Sequence, residues 1–180
     1  MHRALSVSLV LLSATGCAKE LYGTGVVYLW NGTDDKAEVT FEGRSPSKVS
    51  LRPQSGELVN DVIAGPYQIA LMKGGAMGGI VGTEVVKERL TIVNVDGASC
   101  FARADISGLY SRKAAPAVLK QVYQGDTVFS IPEEIGVMPG ERPPEQRSKS
   151  VFGFFRVAVI PCALIKGNEF LIEDYLQKLK

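Results

Sequence analysis

Apolar and polar positions alternate along most of the chain with the period of strands. Ala37, Val39 and Phe41 alternate with Glu38, Thr40 and Glu42, which predicts a strand buried on one face. Residues 26–31 differ. Tyr28 and Trp30 fall on one side and Val27 and Leu29 on the other, so both faces are apolar and a central strand is expected. Gly32, Thr33, Asp34 and Asp35 read as a turn. Further strands are expected over 48–51, 58–63, 67–72, 83–86, 90–95 and 100–106, with turns at 43–46, 53–56 and 64–66. Residues 117–123 fit a strand or a helix. Short apolar pieces follow at 128–131 and 135–138, and 151–162 reads as a strong late strand. Asn168 stands where it can cap a helix. Phe170, Leu171, Tyr175, Leu176 and Leu179 recur behind it at helical spacing. The expected fold is mainly β: an antiparallel β-sandwich or open barrel with one C-terminal α-helix.

The N-terminal pattern is of another kind. Residues 1–3 carry positive charge, 4–12 form an apolar core and 13–16 are small, the order of a secretory signal peptide. Nine helical residues rise about 13 Å against roughly 30 Å of hydrocarbon, too little for a stable span. Ala14-Thr15-Gly16-Cys17 resembles the lipobox of bacterial lipoproteins, with Ala14 where that family prefers Leu. The resemblance covers residues 1–17 and implies lipidation of the Cys17 thiol, with cleavage just before it. It implies a signal peptide over 1–16, a lipidated cysteine and short tether over 17–24, and a single β-rich periplasmic domain over 25–180. Several acyl chains on one cysteine make a stable anchor. Ala18 follows the cysteine where Asp would favour inner-membrane retention in the resembled enterobacterial class, so the outer membrane is implied.

Charge and rare residues narrow the function. Arg3 lies in the leader, so 20 Lys and Arg become 19 against 19 Asp and Glu, and the mature chain is neutral. No basic block stands out, and nucleic acid is not an expected partner. The single histidine is His2, also in the leader. A mature chain without histidine has no Ser–His or Cys–His nucleophile, no histidine base and no histidine-ligated zinc. With Cys17 acylated, Cys100 and Cys162 remain as an even pair. An oxidising compartment favours a disulfide between them over two buried thiols.

Other candidates are weak as chemistry. Gly74, Gly78 and Gly82 repeat every four residues, and so do Gly75 and Gly79. The run faintly resembles the glycine-zipper segments of some outer-membrane lipoproteins, but it is too short to span. It lacks the phosphate-loop patterns and reads as a flexible loop between strands. Ser45-Pro46-Ser47-Lys48 matches the S-x-x-K motif of penicillin-binding proteins, but its partner motifs are missing and it falls in a turn. The pairs Asp34/Asp35 and Glu133/Glu134 point to opposite sides of an extended chain, so neither is a ready acid–base dyad. Tyr28 and Trp30 fit core packing better than a ligand platform.

No catalytic residue, metal site or cofactor is therefore expected. The reading is a lipid-anchored, non-catalytic envelope protein that binds a partner protein or supports an envelope assembly. Loops over 74–82 and 139–149 are the first candidates for recognition. The alternative is a small envelope hydrolase using Ser, Lys or carboxylate chemistry.

Overall fold

The structure, a computed structural model, describes residues 21–43, 47–110, 115–131, 135–144, 154–167 and 169–179. The expected leader, Cys17, Ser45 and Pro46, Glu133 and Glu134, residues 145–153 and Asn168 lie outside the described residues. The chain is mainly β, with three open four-stranded sheets and one C-terminal helix.

In the first sheet, β1 (Thr24–Asn31) lies between β4 (Ser55–Ile63) and β7 (Leu90–Asn94), with β10 (Val128–Ile131) beyond β7. The second sheet has the order β3 (Ser47–Leu51), β2 (Ala37–Gly43), β5 (Gly65–Lys73), β6 (Ala76–Val85). The third has the order β11 (Ile135–Val137), β12 (Phe155–Ile160), β8 (Cys100–Asp105), β9 (Val118–Tyr123). Most neighbours are antiparallel, but β1 pairs with β7, and β11 with β12, in parallel.

The sheets stack, and β1 explains why. Val27 and Leu29 pack with Val39, Phe41, Ile69 and Leu71 of the second sheet. Tyr28 and Trp30 pack the other way, with Phe101, Tyr123 and Val157 of the third. The first sheet is thus the middle layer, buried on both faces, as its two apolar sides require. The third sheet turns its far face to α1 (Glu169–Lys178), where Ala102, Ala104, Ala158 and Ile160 meet Ile172 and Leu176.

Cys100 and Cys162 are joined, with Cα atoms 5.3 Å apart. Cys100 opens β8 and pairs in register with Ile160 of β12, so the bridge ties the third sheet to the turn leading into α1.

The structure corrects two expectations and settles a third that was left open. Residues 74–82 are not one loop. Gly74 and Gly75, at φ +53° and +82°, make the hairpin turn, and the remainder belongs to β6. Pairing with β5 forces the extended backbone that glycine alone would not favour. Residues 117–123, open between strand and helix, contain β9. The buried stripe of α1 matches the expected one in part: Leu176 is buried and Tyr175 and Leu179 pack beside it, but Ile172 joins it while Phe170 is 70% and Leu171 46% exposed. Residues four apart share a helix face, and the stripe through 172 and 176 is the one that meets the sheet.

Candidate functional site

A concave surface lies where the polar tips of Tyr28 and Trp30 meet residues 139–142. Two clefts, of about 450 and 290 Å³, share Trp30, Gly140 and Glu141 as walls. The strap over 138–142 lines both. It is the described start of the loop expected over 139–149.

Hydrogen bonds close the strap on itself and fasten it to Tyr28 and Arg156. The Tyr28 hydroxyl donates to the Pro139 carbonyl at 2.7 Å. The Met138 N–H donates to the Glu141 carboxylate at 2.9 Å. Arg156 donates from Nη2 to the Glu141 carbonyl at 3.1 Å. Its Nη1 reaches the Leu179 carbonyl at 2.6 Å, placing a cation at the negative end of α1. Arg156 is 5% exposed, and no ion pair reaches it among the described residues. Burial lowers its pKa, while the Tyr110 and Tyr175 hydroxyls act the other way. Carbonyls rather than a carboxylate therefore solvate this guanidinium, and they suit a structural clamp.

Tyr28 is 5% exposed and lies against Gly56, where any Cβ would strike its ring. Burial pushes its hydroxyl pKa up, and the Glu141 and Glu57 carboxylates add to the shift. A free tyrosine titrates near pH 10. A raised folded pKa contributes stability below that pH, which is lost as pH rises through the folded value. Unfolding free energy should therefore fall above about pH 10, and Tyr28→Phe should flatten that fall. At neutral pH the same variant should cost about 1–2 kcal/mol, because the Pro139 carbonyl loses its donor. Urea titrations of both proteins between neutral and alkaline pH measure each effect. Equal alkaline slopes would remove Tyr28 as the source.

Trp30 is held at its polar edge. Its Nε1–H donates to Ser99 Oγ at 3.1 Å, and Ser99 donates to Asp96 Oδ2 at 2.8 Å. Asp96 Oδ1 also accepts the Ala98 and Ser99 N–H groups. Ser99 thus accepts one bond and donates another within a tight turn, which clamps the turn to β1. Tyr28 and Trp30 are core residues with their polar tips satisfied.

The other sequence candidates do not converge. Lys48 of the S-x-x-K match pairs with Glu38 at 2.7 Å across β2 and β3, on an exposed surface. Asp34 accepts from Gln54 Nε2 at 3.3 Å in the turn after β1. Asn31, fully buried at the end of β1, organises that turn, donating to the Asp35 and Arg52 carbonyls at 2.8 and 3.0 Å. Among the described residues, no three metal-ligating side chains gather, and no helix is long and apolar enough to cross a membrane.

The sequence reading missed a surface feature. β6 is a long sheet edge, with Met77 68% and Ile80 57% exposed. Its signal was present as the apolar and small pattern of 76–83, obscured by the glycines between. No family model, curated protein or solved structure matches the chain.

Proposed function

We propose that this chain is a lipid-anchored, non-catalytic protein of the bacterial cell envelope, whose β-rich domain binds a partner protein or supports an envelope assembly. The Cys100–Cys162 bridge carries the reading. It fits an oxidising compartment, and it uses two of the three cysteines. Cys17 is the one left, at the end of a charged, apolar and small-residue leader. The first strand begins at Thr24, so about eight residues, at most roughly 28 Å, separate the anchor from the sheet. The domain then sits close to the outer-membrane surface, facing the periplasm. Exposed edges and straps on a rigid β scaffold supply the recognition surface.

Metabolic labelling with palmitate in a bacterial host tests the anchor. The full chain should take up label and fractionate with membranes, and Cys17→Ser should do neither. Ala18→Asp should move the labelled protein toward the inner membrane. Labelling and membrane association that survive in Cys17→Ser would overturn the reading.

A further inference from the structure

We propose that β6 is a self-association edge, pairing antiparallel with β6 of a second copy. The proposal names the partner for the binding surface above and rests on that reading.

An unpaired strand edge is a template for another strand, and most proteins protect it. Five of the six edges among the described sheets carry such protection. β3 carries Lys48. β4 carries Glu57 and Asp61. β9 carries Lys120, and the Glu173 carboxylate accepts its Leu119 N–H at 2.9 Å. β10 and β11 are only four and three residues long. β6 is ten residues long and has no charge before Glu84. Its irregularities, a bulge opposite Leu71 and Met72 and the positive φ of Gly79 at +140°, leave a regular stretch from Ile80 to its end.

The pattern of that stretch is self-complementary. Ile80, Gly82 and Glu84 lie on its more exposed face, and Val81, Thr83 and Val85 on the other. A two-fold pairing centred on Val81 sets Ile80 of each copy opposite Gly82 of the other. Gly82 has open space where a Cβ would stand, so each Ile80 side chain gains a cleft to fill. Glu84 then falls beside the bulge of the other copy, outside the regular pairing, and the two Glu84 carboxylates stay about 20 Å apart. An isologous contact needs this kind of self-matching. The product is one eight-stranded sheet across two copies. One strand pair is a small interface, and anchoring both copies to one membrane raises their effective concentration.

The register gives a sharp test on the full-length lipidated protein in detergent and in membranes. Val81→Cys should form a reducible dimer on mild oxidation, because Val81 faces itself across the axis. Thr83→Cys should not, because its two copies stand about 13 Å apart. Light scattering should give a dimer mass for the native chain and a monomer for Ile80→Lys, whose site is already exposed and tolerates a charge without unfolding. A monomeric native chain that still takes up palmitate would overturn the self-pairing while leaving the anchor intact. So would Thr83→Cys cross-linking as readily as Val81→Cys. Recovery of a different protein that is lost in Ile80→Lys, with the native chain monomeric, would assign the edge to that partner and overturn the second copy.

Discussion

Cys100→Ala combined with Cys162→Ala should lower the unfolding free energy by about 4 kcal/mol, because the bridge closes a loop with a sequence separation of 62. That is a large share of the roughly 5–15 kcal/mol that holds a domain together. In the chain-entropy account, the bond removes conformations from the unfolded chain. The native contacts of Cys100, at 1% exposure, add a packing loss when its sulfur goes. Paired alanines are the better choice, since a serine hydroxyl at this buried position would lack a guaranteed partner. Urea unfolding at fixed pH measures the change, and the native chain under reductant should move in the same direction. Because the bridge fastens the turn before α1, the helix amides should lose hydrogen-exchange protection more than those of β5. A change under about 1 kcal/mol would mean that the bond contributes little beyond its geometry.

Much of this architecture is legible from residue periodicity. The doubly apolar pattern of Tyr28, Leu29 and Trp30 identified the strand that became the middle layer. The alternation of Val39 and Phe41 with charged neighbours marked an outer-layer strand, and β2 is buried on one side as expected. What periodicity does not contain is which layer each face meets. Tyr28 reaches Pro139, 111 residues away, and nothing local to either residue announces that bond. Arg156 is similar. A lone cation inside the apolar run Phe155–Ile160 was a signal of a buried polar role, but its acceptors are carbonyls from two distant segments.

The glycine-rich stretch failed for the opposite reason. Local preference favoured a loop, and pairing with β5 overrode it from Ala76 onward. The same glycines that hid the strand leave its edge without side chains to block a second strand. The reading of function as binding rather than catalysis rests on residue types. Two of the positions weighed for chemistry and set aside in the sequence meet an ion pair and a turn: Lys48 pairs with Glu38, and Asp34 accepts from Gln54.

Phe101→Ala should destabilise the domain by about 4 kcal/mol, since truncating a buried phenylalanine loses both transfer free energy and packing. Phe101 is fully buried on β8, beside Cys100 but on the opposite face. Its ring lies 5.4 Å from Phe129, which stacks on Tyr123 at 4.0 Å. Those three rings join the first sheet to the third, so the cavity would open at the seam between two layers rather than inside one. Collapse there requires whole sheets to shift, and the cavity cost should stand nearly in full. Phe101→Leu keeps most of the volume and should cost about 1 kcal/mol. The near-ultraviolet signal of Trp30, on the same seam, should weaken in the alanine variant and persist in the leucine one. Denaturant midpoints for the two variants separate the cases. Equal midpoints would mean that the seam repacks freely, and that the rings of Phe129 and Tyr123 hold the layers together without Phe101.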